Sequence, residues 1–474
     1  MKHLRILILA LLMGGLASVT MGQAIFPLDF MRNNPKNVYA NPAFYTADFG
    51  YFDMALGNVT FNLQNIGLKY DKFFEFNAQG KPVVMDLNKG VESLRRNDYL
   101  NTFAGVDIFG CGRHTKHGFF TYSHRFREME TFHYNKEALE FLVKGNASFM
   151  GPENPAHVDF DVAVKAYQEF NFGYQMSLTE KLNVGARVKF LMGYADARSS
   201  AIKLQLMTDP ATYALTVTGD VDVRVSLPYD VSMQHGDFSI ADSRFNVANL
   251  FKNYGAGIDF GAEYQIDDQY GVAAAINDFG FIRWNNHSVR FKGGIENGGS
   301  LYHDGAFVFT GLTPDQVNAI IDEPSVFFEQ LMDTLGTYYD LSTEPYNYFS
   351  GLNTTMMVRG YYDLTPEHRF SAQLTGYFSG IGLRPALTLA YTGSFGDVYD
   401  VVGTYTMMPG SYGNIGVGLS ANWSGCLLYV ATNNIFGLFN PANTSNVGIQ
   451  FGLSLNGGQK VSREEKILLR DTTY

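Results

Sequence analysis

Charge is scarce in this 474-residue chain: Asp, Glu, Lys and Arg make up 17% of it, against roughly 25% in a typical soluble protein. Cysteine is nearly absent, with only Cys111 and Cys426, which excludes a disulfide-built scaffold. After residue 23 no apolar run approaches the roughly 18 residues that a membrane-spanning helix needs. The sequence holds no His-Glu-x-x-His pair, no phosphate-cradling loop and no Gly-x-Ser-x-Gly elbow, and its ten His are scattered. Zinc hydrolysis, nucleoside-triphosphate chemistry and serine-hydrolase chemistry therefore have no signature here. The acidic pairs Asp220/Asp222 and Asp267/Asp268 lack the rest of a calcium loop and read as solvated pairs. Basic residues are outnumbered, 35 to 46, for a net charge of −11, which argues against a nucleic-acid partner. No enzyme activity, cofactor or metal is expected.

Aromatics and glycine are abundant instead: 39 Phe, 29 Tyr and 49 Gly. Such a chain is not disordered. Residues 1–22 read as a secretory signal peptide. Lys2, His3 and Arg5 form a basic start, Ile6 to Ala17 a short apolar core, and Thr20 and Gly22 the small residues before the cut. Losing the two positive charges Lys2 and Arg5 takes the net charge from −11 to −13. An exported chain without a spanning helix is either soluble beyond the inner membrane or a β-barrel in an outer membrane.

The period of two separates these options. Phe170, Phe172, Tyr174, Met176 and Leu178 alternate with Glu169, Asn171, Gly173, Gln175 and Ser177. After Thr179-Glu180-Lys181, Leu182, Val184, Ala186, Val188 and Phe190 alternate with Asn183, Gly185, Arg187 and Lys189. This is a hairpin with one apolar face and one polar or glycine face. The pattern recurs in 215–227, 254–266, 370–378, 385–395, 415–423 and 447–455. These segments match the roughly 9–11 residues of a tilted membrane strand better than the 5–6 of an average soluble one. The expected fold is an all-β, transmembrane, antiparallel up-and-down β-barrel. Eighteen candidate strands start near residues 57, 102, 117, 169, 182, 200, 215, 254, 270, 289, 302, 354, 369, 384, 398, 414, 426 and 446. Those near 57, 200 and 302 are the weakest, so the count is about 18 within a range of 14–18.

Turns alternate between short and long, and the four longest loops, near 66–101, 128–168, 228–253 and 311–353, fall on one side. Outer-membrane barrels put their longer loops outside. The loop 311–353 carries a capping box at Thr313, Pro314 and Gln316, then an apolar helical face at Phe328, Leu331, Met332 and Leu335. A further short helix is expected from Lys136 to Lys144, stopped by Gly145. The chain thus divides into a leader (1–22), a barrel (23–455) and a polar periplasmic tail (456–474).

Alternation places Glu169, Arg187, Lys189, Arg224, Asp259, Glu263, Arg359, Arg369, Gln373 and Arg384 in the lumen. Counting back from the 365–367 turn sets Arg359 beside Gln373 and Asp363 beside Arg369. Cys111 and Cys426 fall three strands apart, about 14 Å at ~4.8 Å per strand. That is beyond the reach of a disulfide, so two free thiols are expected.

Asn41-Pro42-Ala43, the hairpin Leu178 to Lys189 and the run Asp278-Phe279-Gly280-Phe281-Ile282-Arg283-Trp284 together resemble an uncharacterised domain-of-unknown-function family of Bacteroidota-type outer-membrane barrels. That family is loosely similar to fatty-acid-transporter-like barrels and to the shuttle barrels of type IX secretion. The resemblance implies a cell outer-membrane location and brings no catalytic residues. Two roles arise as expectations. One is a channel or transporter for a small solute, an apolar one among the candidates. The other is a non-transporting barrel that docks a protein partner or accessory through its long external loops. Outer-membrane lipid is the partner common to both.

Overall fold

A computed structural model describes residues 27–457, except 45–49, 241–251, 295–300, most of 303–341 and single or paired positions at a few turns. The leader, the tail beyond Gly457 and the helices expected in 313–335 lie outside the described residues.

Among the described residues, fourteen antiparallel strands close a ring. The first is broken in two, Gly50–Met54 and Val59–Asn65. The next seven are Asn97–Thr115, Gly118–Asn135, Ala156–Ser177, Leu182–Thr208, Tyr254–Gln265, Tyr270–Trp284 and Thr354–Asp363. His368–Ser379, Gly382–Phe395, Tyr399–Met408, Ser411–Trp423, Cys426–Thr432 and Asn446–Gly457 complete the circuit. Both halves of the broken strand pair with Asn97–Thr115 on one side and Asn446–Gly457 on the other, which closes the ring.

Fourteen, and not about eighteen, has a physical cause. The strand expected to start near residue 200 is the upper part of Leu182–Thr208, which runs 27 residues without a turn. Its lower part pairs with Tyr254–Gln265 and belongs to the ring. Its upper part pairs with Leu215–Ser226, which pairs with Ser288–Gly294 and Leu301–Tyr302, and Ser288–Gly294 in turn with Ser342–Pro345. These outer strands form a sheet that continues beside the ring and do not join it. Alternation reports that a strand has two unlike faces; it does not report which neighbour the strand pairs with. Strands Asn97–Thr115 to Leu182–Thr208 are 18 to 27 residues long, so the wall is tall on that side and low where strands end at Ser379 and Met408. The helix Lys136–Lys144 forms where expected, with Asn135 capping its start through Ala138 N–H and Gly145 ending it at a φ of 74°.

The two faces of the ring are chemically opposite. Phe172, Val188, Phe260, Val358 and Leu374 point outward and are exposed. Their alternates Asn171, Arg187, Asp259, Arg359 and Gln373 point inward and are buried. One long strand shows the same split at a β-bulge. Asn277 and Asp278 together oppose Asp259, so both turn inward, and Asp278 takes a φ of 57°. A bulge is the standard device for re-aiming side chains within a wall.

Cys111 and Cys426 are free. They sit at the ends of one cross-strand row, Cys111–Phe52–Leu455–Cys426, three strand spacings apart. Intact mass under non-reducing conditions is expected to match two thiols. A deficit of two hydrogens would overturn this ring order.

Candidate functional site

The lumen is filled by the chain's own N-terminal segment. Two short 3-10 turns, Pro27–Phe30 and Pro35–Tyr39, cross the ring interior. Their residues explain why they fold locally. Pro35 starts the second turn, and the Asn34 side chain accepts from Lys36 N–H. Asn37 Nδ2 donates to the carbonyls of Met31 and Phe44 and so ties the segment to itself. Irregular backbone inside a closed wall needs partners for its polar groups; the plug's own carbonyls supply some, as for Met31, Ala40 and Phe44 N–H, and the asparagine side chains others.

Three contacts seat this plug. Leu28, Phe30 and Met31 pack on Ala386, Ala390, Val402 and Ala431 of the wall. Asn41 Nδ2 donates to the carbonyls of Ala262 and Ala274 on two paired strands. A Cβ at Gly261 would lie 1.8 Å from Asn41 Oδ1, and one at Gly185 would lie 2.3 Å from Pro42 O, so only glycine lets Asn41-Pro42 approach. Arg359 forms the third contact. Its Nε and Nη2 donate to Gln373 Oε1 at 2.8 and 2.6 Å, and its Nη1 donates to Asp29 O at 3.0 Å. The same guanidinium lies 4.0 Å from the ring centre of Phe30 and 4.5 Å from that of Phe44, both on the plug.

A network of buried charges crosses the lumen from the plug to the wall. Lys36 pairs with Asp53 and, at 3.0 Å, with Asp107. Arg125 joins Asp107 at 2.9 Å to Glu169 at 3.0 Å. Arg127 joins Glu169 at 3.4 Å to Asp278 at 3.0 Å. Lys189 bonds Asp278 and meets Asp259 at 2.9 Å, and Arg187 closes the series on Asp259 at 2.7 Å. Five cations and five carboxylates alternate, none more than 10% exposed. The plug's Tyr39 lies against the middle of this series. Its hydroxyl donates to Asp107 at 2.6 Å, and its ring faces Arg125 at 3.9 Å. Arg187 also donates to Tyr39 O.

Two small cavities lie inside the ring among the described residues. A cavity of about 90 Å³ lies between the plug and the wall, bordered by Tyr39, Arg127, Arg187, Asp278, Gln373 and Tyr377. A second, of about 50 Å³ and mostly apolar, lies toward the long-loop end against Tyr99, Phe378, Arg384, Pro385 and Met408. Thr355 and Tyr377 border both. These volumes fall well below the roughly 300–1,000 Å³ of a drug-sized binding pocket.

The residues singled out from the sequence separate by their place in the ring. Glu169, Arg187, Lys189 and Asp259 meet in the charge network, and Arg359 with Gln373 in the plug clamp. Glu263 is buried inside the ring, and Arg369 pairs with Asp363 near the short-turn end at 2.6 Å. Arg359–Gln373 and Asp363–Arg369 stand in the expected register. Arg384 lies at the opposite end with its guanidinium 3.7 Å from the Tyr99 ring centre. Arg224 is not in the ring at all: it sits on Leu215–Ser226 in the side sheet, near Asp222 and Tyr346. Asp222 itself is held by Arg290 at 2.9 and 2.7 Å, and Asp267 accepts from Gln269 and Tyr270 N–H in a turn. Sequence reasoning missed Lys36, Asp53, Asp107, Arg125, Arg127 and Asp278. The alternation Ser123, Arg125, Arg127 opposite Tyr122, His124, Phe126 was available as a signal; the plug offered none beyond its asparagines.

Replacing Lys36 with Met would leave Asp53 buried without its cation and Asp107 with Arg125 alone. Breaking such a pair costs about 3–5 kcal/mol. Lys36→Met is therefore expected to lower the urea unfolding midpoint, and Lys36→Met with Asp53→Asn to recover part of the loss. A single variant as stable as wild type would show that the network does not hold the plug.

The chain belongs to a family of unknown function, DUF5723, whose sequence pattern matches residues 42–433. No curated protein matches it by sequence. Among solved structures it is similar to the Pseudomonas putida toluene transporter TodX, at 8% identity and a TM-score of 0.41, covering 93% of this chain and 99% of that one. It is similar also to a Pseudomonas aeruginosa FadL homologue (10%, TM-score 0.30, 93% and 97% covered). The translocator domain of the autotransporter NalP from Neisseria meningitidis is a third (7%, TM-score 0.32, 88% and 92%).

Proposed function

We propose that this protein is an outer-membrane β-barrel that passes a small, apolar or amphiphilic solute through a lumen gated by its own N-terminal segment. The observation that carries this reading is the pairing of an apolar outer face with a polar interior stoppered by a charge-paired plug. A ring whose outer residues are Phe, Val and Leu needs hydrocarbon around it. Closure satisfies the backbone of every strand without an edge, the condition for non-helical chain in lipid. Strands Thr354–Asp363 to Ser411–Trp423 are 10 to 14 residues long, the length that a tilted strand uses to cross. In this reading the leader is cut near Gly22, the polar tail is periplasmic, and the tall wall and long loops face outward from the cell.

The apolar mouth cavity supports an apolar or amphiphilic solute. It borders Phe378, Pro385 and Met408, and it meets the central cavity at Tyr377 and Thr355. A solute entering there would press on the plug where Arg359 clamps it.

A second reading rests on the strands from Asn97 to Thr208, which rise beyond the low side of the ring and carry a side sheet. This raised wall would serve as a rigid docking face for a protein partner. Photo-crosslinkers placed along it in intact cells would capture one partner repeatedly under that reading only.

Liposome swelling separates the two. Wild-type protein is expected to pass small solutes slowly, and deletion of 27–44 to raise the rate several-fold. Equal rates with and without the plug would overturn the gated-conduit reading.

A further inference from the structure

One strand of the ring is too short for its task. Cys426–Thr432 has seven residues. At about 3.3 Å per residue and a tilt near 40°, it rises roughly 17 Å, against an apolar band roughly 25 Å tall. Its neighbours Ser411–Trp423 and Asn446–Gly457 have 13 and 12 residues. Its lower end is fixed near the interface by the turn after Trp423, an exposed aromatic of the kind that marks such a boundary. The chain just beyond Thr432 therefore lies at the depth of the membrane.

There it forms the helix Ile435–Phe439, which packs on both neighbouring strands. The helix lies on the outside of the wall. Val447 belongs to the outward row Val447, Ile449, Phe451 of its strand, yet it is 7% exposed where Phe451 is 40%. The helix covers it: a Cβ at Gly437 would lie 2.9 Å from Val447 Cβ and 3.0 Å from Asn446 O. Glycine is what lets the helix lie this flat. Asn434 Nδ2 donates to Asn446 O and to Thr444 Oγ1, and Asn434 N–H to Thr432 Oγ1, so the helix is tied to the wall at its start. The opposite face is apolar and bare, with Phe436 65% and Phe439 84% exposed and Leu438 beside them. These side chains continue the outward row of Leu428 and Val430 on the short strand.

We propose that the Ile435–Phe439 helix is immersed in the acyl chains of the outer leaflet and completes the lipid-facing wall above the short strand. The inference rests on the outer-membrane reading. The segment is suited to this place because Gly437 and the Asn434 bonds hold it flat on the wall where the sheet runs out, and lipid hydrocarbon is the one partner continuous with the exposed rows on either side.

Bromine-labelled phosphatidylcholine in proteoliposomes tests this by quenching tryptophan. Trp423→Phe removes the exposed indole and leaves Trp284, which is fully buried inside. Into that background go Phe439→Trp, Phe436→Trp as a second reporter should the first misfold, and Leu389→Trp in the outward belt of the ring. Mid-chain bromine is expected to quench positions 439 or 436 about as strongly as position 389, with blue-shifted emission from each. Quenching at 389 with none at the helix positions would overturn the proposal and leave the barrel reading intact. That result would also be the outcome if a second copy of the chain or the solvent covered the helix. No quenching at 389 would remove the membrane reading and the proposal with it.

Discussion

Ten almost wholly buried charges, arranged so that every neighbour has the opposite sign, decide what the interior of this protein can be. Taking one ion out of water costs several kcal/mol, and only a well-placed partner offsets it. Here most of the carboxylates sit between two cations, and the total is neutral. Nine of the ten members belong to the wall, and the plug supplies Lys36. The wall therefore needs the plug to complete its pairing at Asp53 and Asp107, and the plug needs the wall to bury its lysine. Withdrawing the plug would strip Asp53 of its cation and Asp107 of one of two.

The bulge at Asn277 and Asp278 shows how a single extra residue serves that network. Without it, the side chain at 278 would alternate outward. With it, Asp278 faces Arg127 and Lys189, and its N–H donates to Asp259 Oδ1 at 2.6 Å. The left-handed backbone this demands is one that Asp tolerates better than most residues. Asn277, turned inward by the same device, donates to Ala40 O on the plug. One irregularity thus sets two adjacent side chains on two different tasks, and beyond it Ile282 and Trp284 point inward in the shifted phase.

Much of this was legible in the order of residues, and the failures are instructive. Cross-strand neighbours such as Arg359 and Gln373 are fixed by turn position and a strict period, because a one-residue slip would turn an apolar row inward. The wall glycines, the helix at Lys136–Lys144 and the inward row through Arg187 are readable for similar local reasons. Strand count was not. Arg224 alternates as cleanly as Arg187, but its strand pairs with the upper half of a 27-residue strand whose lower half is already in the ring. Asp278 was hidden because a bulge breaks the period. The plug was hidden because 3-10 turns and asparagine-capped loops have no period to read; their partners lie hundreds of residues away.

That last distance bears on the making of the protein. Asn33 bonds Asp400 and Asp29 bonds Arg359, separations of 367 and 330 residues. The plug precedes most of its binding surface in sequence, and that surface is complete only when the strands carrying Arg359 and Asp400 have formed. Contacts of such span form slowly, since a long loop must close before they give any return. The plug segment can therefore take its final seat only once those strands have closed the ring.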